Sequence, residues 1–392
     1  MQTTEQEGAA QLQFRRLGPL RHGGPHLLAI AVAQFSRHRC TKLRDRGIFA
    51  TCLGGMGDEG AEHALNVAFD SRPVRDAHGV GRYTRCLLDA LRETAQAGAE
   101  IVETPRPGGA DVFHAPWMSG ALLHSPCPMV VTLHDLAAMK RRSEWLRTDI
   151  RPLLRQLAVQ RAVRVIVPTQ ALAREAQTRL GLEREQIDVI HEAPAACMYP
   201  RPTHEIEAAR AHFGLPERYL LWVGGLQHPD PAKHVAKLAA TPRGMPLVLV
   251  GSTSRWAHEL PDVILTGQVG DDALAALYSG AQALVVASRE EGFGLPAVEA
   301  LACGAPVVAC EVPALREVLD GRITFVPADD LEALIGAAEA ARRPASQPPS
   351  WTWRDAARAT WQVYERALSQ ASQPRPVGRF LRRRTAPAAG SQ

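Results

Sequence analysis

The chain has 392 residues, and its 45 basic and 41 acidic side chains give a formal net charge of +4. This length accommodates two domains of ordinary size, and the balanced charge argues against a nucleic-acid-binding protein. The seven cysteines lack the paired spacing of a zinc site or a disulfide framework, and no apolar run approaches the length of a membrane span. We therefore expect a protein with free thiols in the bacterial cytoplasm, with contact to the inner face of the membrane as the alternative.

The first 64 residues carry neither a helical nor a strand period. They precede the first clear strand, and Met56 lies shortly before it. We predict that residues 1–64 are a disordered leader or an over-extended start, with the working protein beginning near Met56. Loss of activity or solubility on deletion of residues 1–55 would contradict this prediction.

From residue 65 onward, short apolar runs alternate with helical periods, which is the pattern of an α/β protein with parallel sheets. In a first domain, residues 65–197, we predict strands at residues 65–69, 100–103, 111–113, 129–133, 165–167 and 188–190. Helices are predicted from Tyr83 through Leu91 and at residues 143–163 and 170–180.

Residues at the carboxyl ends of these strands are candidates for ligand contact, because open α/β sheets bind their ligands at that edge. Two glycines between the first strand and the first helix would let the backbone approach a ligand closely, although a tight strand-to-helix turn explains them too. A histidine follows each of two strands, and the alternative is a histidine satisfied within the core. The candidates are Arg75, Gly79, Gly81, His114, Trp117, His134 and Asp135.

The helix predicted at residues 143–163 has an apolar side and a basic side. Leu154 and Leu157 are expected to face the core, whereas Arg151 and Arg155 lie on another face. Such a basic face could bind anionic lipid or a phosphorylated acceptor. A solvated helix face is the commoner explanation, and we favour it.

A proline-containing segment, residues 198–218, is predicted to connect the first domain to a second one. The second domain, residues 219–345, contains predicted strands at 219–223, 247–250, 263–265, 283–286, 306–309 and 323–326 and helices at 233–240 and 330–341. An amphipathic helix follows within residues 346–370, and residues 371–392 are predicted to be a disordered basic tail.

The most informative stretch runs from Glu291 to Gly304, between a predicted buried strand and a short apolar helix. Pro296 suits the first helical position. The segment Gly292-Phe293-Gly294-Leu295 leaves backbone N–H groups free at a helix N-terminus, where they favour a phosphate. Glu291 and Glu299 flank this segment, and the two acceptor oxygens of a carboxylate suit a vicinal diol. The turn is therefore predicted to bind a phosphate between two hydroxyl-binding carboxylates.

The Glu291-x7-Glu299 spacing around Gly-Phe-Gly-Leu-Pro resembles the signature of retaining GT-B glycosyltransferases of family 4. The alternative is a glycine-rich turn whose glutamate is favoured only by the helix dipole. The resemblance implies an α/β protein with two Rossmann-like parallel-sheet domains facing a central cleft, and a C-terminal helix that crosses back to the first domain. It also implies that Glu291 contacts the donor sugar, that Glu299 contacts the nucleotide ribose, and that His134 contacts the sugar.

The resemblance assigns the remaining candidates to roles. The implied catalytic residues are Glu291, Lys233 and His134. The implied donor-binding residues are Gly79, Gly81, Gly225, Lys233, Glu291, Gly292, Phe293, Gly294, Leu295 and Glu299. Acceptor-side candidates are Arg75, His114, Trp117 and Asp135.

One position departs from the family pattern. Lys233 fits the lysine of a common Arg-Lys pair, but Ala232 occupies the place of the arginine. Either Lys233 and the loop amides suffice, or His228, Arg82 or Arg289 supplies the missing charge, or the donor site is weakened.

The resemblance implies transfer of a hexosyl group from a UDP- or GDP-sugar to an acceptor hydroxyl, with retention of configuration and without a protein base. A soluble natural-product, aminoglycoside-like or saccharide acceptor is favoured. Aspartate pairs such as Asp271-Asp272 precede helices as N-caps, and no Asp-x-Asp pair of the metal-dependent GT-A class occurs. We therefore predict no metal, no further cofactor and no nucleic-acid partner. The alternatives are a silent homologue that partners another transferase, and a nucleotide-sugar epimerase or hydrolase.

Overall fold

The computed structural model describes residues 65–76, 79–136 and 151–372. These residues belong to one compact unit, residues 63–392. The predicted leader, nearly all of the predicted tail and the first part of the helix predicted at residues 143–163 lie outside the described residues.

The first half of the described chain forms a six-stranded parallel sheet. Its strands are β1 (Asn66–Phe69), β2 (Glu100–Glu103), β3 (Val112–Ala115), β4 (Met129–Thr132), β5 (Arg164–Val167) and β6 (Ile187–Val189). The helices described here are α1 (Gly79–Glu93), α2 (Arg151–Gln160) and α3 (Gln170–Leu180). The strand order is β2-β1-β3-β4-β5-β6. Strands β3, β4 and β5 are buried along their whole length, as expected of a parallel sheet covered on both faces.

The second half forms another six-stranded parallel sheet. Its strands are β7 (Leu220–Val223), β8 (Leu247–Val250), β9 (Val263–Gly267), β10 (Ala283–Val286), β11 (Val307–Cys310) and β12 (Thr324–Val326). Its helices are α4 (Thr203–Phe213), α5 (Val235–Ala240), α6 (Asp271–Gly280), α7 (Leu295–Ala302), α8 (Pro313–Leu319) and α9 (Leu331–Ala340). The strand order is β12-β11-β10-β7-β8-β9. The predicted fold class, α/β with two Rossmann-like parallel sheets, is confirmed.

In each sheet the strand order reverses at one strand. β1 lies between β2 and β3, and β7 lies between β8 and β10. Connections on the two sides of such a strand run in opposite directions, which leaves a crevice at its carboxyl end. The residues that follow β1, β3, β7 and β10 therefore border these crevices, and the predicted Glu291–Glu299 motif follows β10.

The last helix, α10 (Trp353–Ala371), returns to the first half and packs against α1, β3 and β4. The Tyr364 hydroxyl lies 2.7 Å from Nδ1 of His114. The Trp361 indole N–H donates to the Leu91 carbonyl at 3.3 Å. Because α10 follows the second half in the chain, these contacts tie the two halves together.

Two helices differ from their predictions. α1 begins at Gly79, so the glycines expected in a loop lie in the first turn of the helix. A Cβ atom at Gly81 would lie 1.9 Å from the Asp76 carbonyl oxygen, so close backbone packing requires this glycine. In α2 the core side is formed by Ala158 and Val159. Leu154 and Leu157 are instead 36% and 37% exposed, and the prediction that they face the core is wrong.

Candidate active site

The carboxyl ends of the two sheets border two adjoining cavities. The smaller has a volume of about 370 Å³ and the larger about 510 Å³. Both are lined by residues of the first and the second half, and the residues common to both linings are Gly79, Val223, Gly224, Gly225, Leu295 and Pro296. An elongated ligand could therefore extend from one cavity into the other across Gly225 and the start of α7.

The motif that follows β10 forms a tight turn into α7. Gly294 caps the helix with a φ of 94°, in the left-handed region that favours glycine. A Cβ atom at this position would also lie 2.3 Å from a methyl carbon of Leu315. Pro296 is the second residue of α7, one position later than predicted. The N-terminus of α7 consequently faces the region shared by both cavities.

Gly292 is the point where this turn meets the first half. A Cβ atom at Gly292 would lie 1.6 Å from the His134 carbonyl oxygen. The Thr169 hydroxyl, at the end of β5, donates to the Gly292 carbonyl at 3.0 Å. The two halves are therefore in close contact at Gly292, and a side chain larger than that of glycine would not fit between them.

Lys233 and Glu291 form an ion pair in the lining of the smaller cavity. The Lys233 ammonium donates to Oε1 of Glu291 at 2.6 Å. Burial lowers the pKa of Lys233, but the charge and the hydrogen bond of Glu291 outweigh it, so that the pKa lies above its ordinary value. Lys233 is therefore a fixed cation, and a ligand hydroxyl could share Glu291 with it.

His134 also lines the smaller cavity, and its ring is fixed at both nitrogens. Nδ1 lies 3.0 Å from the Glu192 carboxylate, and Nε2 lies 2.9 Å from the Pro116 carbonyl. Burial lowers the pKa of His134, but the hydrogen bond and charge of Glu192 outweigh it and raise the pKa above its ordinary value. With an acceptor at each nitrogen both must donate, which favours the imidazolium form. In that form the His134 ring places a positive charge beside the smaller cavity, next to the Glu192 carboxylate.

Glu299 is the buried carboxylate of the larger cavity, and only 2% of its surface is exposed. The guanidinium Nε of Arg82, in α1, lies 3.1 Å from its Oε1. The Tyr278 hydroxyl donates to its Oε2 at 3.4 Å. Burial raises the pKa of Glu299 to about 7, although the charge of Arg82 acts in the opposite direction. Within the described residues Oε1 accepts no hydrogen bond, so this buried oxygen can still accept one from a ligand.

Comparison with known proteins identifies the family. A model described as Glycosyltransferase Family 4 matches residues 32–193, and one described as Glycosyl transferases group 1 matches residues 217–342. A D-inositol 3-phosphate glycosyltransferase of Mycolicibacterium smegmatis is 30% identical over 320 residues, which cover 72% of this chain and 73% of that protein. The chain belongs to glycosyltransferase family 4. The Mycobacterium bovis protein of the same name is 34% identical over a match that spans half of its length.

Solved glycosyltransferase structures share the fold at low sequence identity. Sucrose-phosphate synthase from Thermosynechococcus elongatus has a TM-score of 0.55 and 20% identity, with 78% of this chain and 97% of that chain covered. HepE of Anabaena, solved in complex with UDP and glucose, has a TM-score of 0.55 and 17% identity, with 79% and 98% covered. These likenesses agree with the two-sheet architecture of the present glycosyltransferase.

The acceptor-side candidates of this glycosyltransferase do not lie together. Asp135 lines the smaller cavity and Arg75 the larger. The Trp117 indole donates to the buried Asp70 carboxylate at 2.9 Å. His114 is completely buried, where hydrogen bonds to Thr132 and to the α10 tyrosine satisfy it. Burial lowers its pKa to about 3.

The prediction that His114 contacts an acceptor is therefore wrong, because α10 covers this histidine at the end of β3.

Most of the predicted donor-binding residues line the two cavities: Gly79, Gly225, Lys233, Glu291, Gly292, Phe293, Gly294, Leu295 and Glu299. Gly81, in α1, is instead packed against the Asp76 backbone and belongs to neither lining.

Two residues of the candidate site are not predicted as such from the sequence. Glu192, which holds His134, follows β6, and the rule that ligands bind at strand ends could have found it. The sequence suggests Arg82 only as a replacement for the arginine absent at position 232, and its pairing with Glu299 has no local sequence signal.

Among the described residues, no cluster of three or more His, Cys, Asp or Glu side chains could hold a metal ion. The cysteines of the described segments are free thiols: Cys86, Cys127, Cys197, Cys303 and Cys310. None of the described helices is both long and apolar enough to cross a bilayer.

Proposed function

We propose that this glycosyltransferase moves a hexosyl group from a UDP- or GDP-sugar to a hydroxyl of an acceptor, with retention of configuration. The observation that carries the proposal is the position of two carboxylates, Glu291 and Glu299, in adjoining cavities on either side of the N-terminus of α7. A sugar hydroxyl, a diphosphate and a ribose diol occur in the same linear order in a nucleotide sugar. The order of these groups in the site therefore matches the order of their binding partners in this ligand.

Each cavity would bind a different part of the donor. The ribose diol would donate to Glu299, whose Oε1 lacks a hydrogen-bond donor among the described residues. The diphosphate would lie beside Gly225 and the N-terminus of α7, where the helix dipole and the backbone N–H groups of Gly294 and Leu295 favour an anion. The hexose would occupy the smaller cavity and donate to Glu291, while Lys233 turns toward the departing phosphate.

The reaction requires stabilisation of the negative charge that develops on the leaving diphosphate. The acceptor oxygen forms a bond to the anomeric carbon as the bond from that carbon to the phosphate oxygen breaks. The bonding electron pair remains on the diphosphate, and the acceptor proton moves to a phosphate oxygen on the same face of the sugar. Lys233, His134 and the N-terminus of α7 would surround this charge, and preorganised groups of this kind often supply the largest share of catalysis.

The acceptor enters from the first half, where Asp135 lines the smaller cavity. A hydroxyl-rich soluble molecule, such as a saccharide or an aminoglycoside-like compound, suits a carboxylate at this position. The relative named for D-inositol 3-phosphate makes a phosphorylated polyol the first acceptor to assay.

The proposal is tested by ligand stabilisation followed by turnover. UDP, GDP and ADP and their hexose conjugates should be screened for a rise in the thermal midpoint, since a ligand that binds only the native state stabilises it. The conjugate that binds is then incubated with D-inositol 3-phosphate and simple saccharides, and products are identified by mass spectrometry and anomeric NMR. Transfer with retention is expected. Glu291→Ala should abolish it while the circular dichroism spectrum stays unchanged, and substantial residual transfer would contradict the role given to Glu291.

Ala232 is the observation that favours a second function. Without the arginine common at this position, the chain could bind a nucleotide sugar and act as a silent partner of another transferase. Binding without any turnover would support that function. Release of free sugar would indicate a hydrolase, and a changed sugar configuration would indicate an epimerase of the same fold.

A further inference from the structure

Arg82 makes contacts that neither the motif nor the family match assigns. It projects from the first turn of α1, in the first half, toward two carboxylates of the second half. Its Nη2 donates to Asp271 at 2.6 Å, and its Nε lies 3.1 Å from Oε1 of Glu299. Only 11% of the Arg82 side chain is exposed, whereas 46% of the Asp271 side chain is. One guanidinium thus bridges the two halves inside the larger cavity.

Arg82 contacts the Glu299 carboxylate, to which the proposed function assigns binding of the nucleotide ribose. A diol that donates to Oε1 of Glu299 weakens the ion pair between this oxygen and Arg82, so the nucleotide loosens one edge of the guanidinium. The other edge can remain on Asp271, which gives the side chain a pivot. A guanidinium stays charged and presents five N–H donors in a planar fork that matches phosphate. Arg82 lines the same cavity as Gly225, so the diphosphate is the anion that it would meet.

The sequence lacks one cation that family members commonly use, and three residues were candidates to replace it. Arg289 is bound by the Asp329 carboxylate and belongs to neither cavity lining. His228 is exposed and belongs to neither lining. Arg82 lines the larger cavity and reaches it from the opposite half. Of these three candidates, Arg82 is the one in position to replace the charge that is absent at Ala232.

We propose that Arg82 is the second diphosphate-binding cation of this enzyme, held on Glu299 and Asp271 until a nucleotide displaces it from Glu299. This inference rests on the proposed function, because it requires a nucleoside diphosphate in the larger cavity. It makes Arg82 a catalytic residue supplied by the half that faces the acceptor. The leaving group is then fully neutralised only when the two halves are closed.

The test compares a nucleoside diphosphate with its nucleoside, using whichever of UDP, GDP and ADP binds the wild-type protein. Calorimetry gives the dissociation constant of each ligand, and the quantity compared is the constant of the nucleoside divided by that of the nucleoside diphosphate. Effects on the ribose site cancel in this ratio. In Arg82→Met this ratio should shrink by roughly tenfold to a hundredfold, the usual weight of a charged hydrogen bond. Glu299→Gln should weaken both ligands and keep the ratio. An unchanged ratio in Arg82→Met overturns the inference.

A rescue experiment separates the proposed role from a structural one. Ala232→Arg restores a cation at the common family position, so the double variant Arg82→Met/Ala232→Arg should recover the preference for the diphosphate and part of the turnover. A structural defect at Arg82 would not respond to position 232, and failure of the rescue in a folded double variant would count against the role. Arg82→Lys keeps the charge and should lie between wild type and Arg82→Met. Arg289→Gln is the matched control and should retain the wild-type ratio.

The outcomes distinguish this inference from the proposed function. If the wild-type protein binds no nucleoside diphosphate, both are overturned. If it binds one and the ratio does not depend on Arg82, only the inference about Arg82 fails.

Discussion

Replacing Glu299 with glutamine should stabilise the protein above neutral pH while it weakens nucleotide binding. Glu299 is almost completely buried, and its ionised form lacks the hydration that an exposed carboxylate has. Arg82 compensates only in part, because burial still raises the pKa of Glu299 to about 7. Glutamine has nearly the same shape and carries no charge, so it removes this cost. The Tyr278 hydroxyl can still donate to the amide oxygen.

The magnitude follows from the linkage between proton binding and folding. The ordinary pKa of the group is 4.5 and the folded value is about 7. Between these values the native state binds a proton that the unfolded state has released, so the stability is fully present below pH 4.5 and is lost as the pH rises to about 7. For one group with these two values, about 2.5 kcal/mol is lost between pH 5 and pH 8. Glu299→Gln does not titrate, and its stability relative to wild type should rise by about this amount over the same range.

The assay is thermal unfolding of both proteins at a series of pH values, with the difference in midpoint as the readout. At about 2 °C per kcal/mol for a chain of this size, the difference should grow by about 5 °C from pH 5 to pH 8. Glu332→Gln, which removes an exposed carboxylate of α9, is the control. A difference between wild type and Glu299→Gln that does not change with pH would refute the reasoning. In the same buffers, nucleoside affinity should rise with pH in wild type and not in Glu299→Gln.

Three further variants probe other parts of the structure. Gly292→Ala places a Cβ atom against the His134 carbonyl, so it should hold the cleft open and lower activity at least tenfold. Small-angle scattering measures the radius of gyration, and a value equal to that of wild type would contradict this prediction. Tyr364→Phe leaves His114 Nδ1 buried without a partner, which should lower the unfolding free energy by about 1–3 kcal/mol. Urea titration measures this loss, and calorimetry should show an unchanged nucleotide affinity. Lys233→Met removes a charge from the smaller cavity and should lower kcat about a hundredfold; a fall of less than fivefold would show that other cations suffice.

Much of the fold could be predicted because its signals are local. The buried parallel strands are continuous apolar runs such as Ala283–Val286, and these appear at the predicted positions to within one or two residues in the described chain. The turn into α7 needs glycine at a left-handed position, which is a property of a few consecutive residues. The same local chemistry identified Glu291 and Glu299 as flanking carboxylates.

The sequence by itself determined the order of strands and helices, the two-sheet class and the motif that carries the carboxylates, since periodicity and turn chemistry are set by neighbouring residues. It did not separate His114 from His134, because both follow a strand in the same way. Only the tertiary structure decided that α10 seals His114 within the core while His134 remains at the cavity. It alone also brought Arg82 to Glu299, since two residues so far apart in the chain meet only through the packing of the two halves.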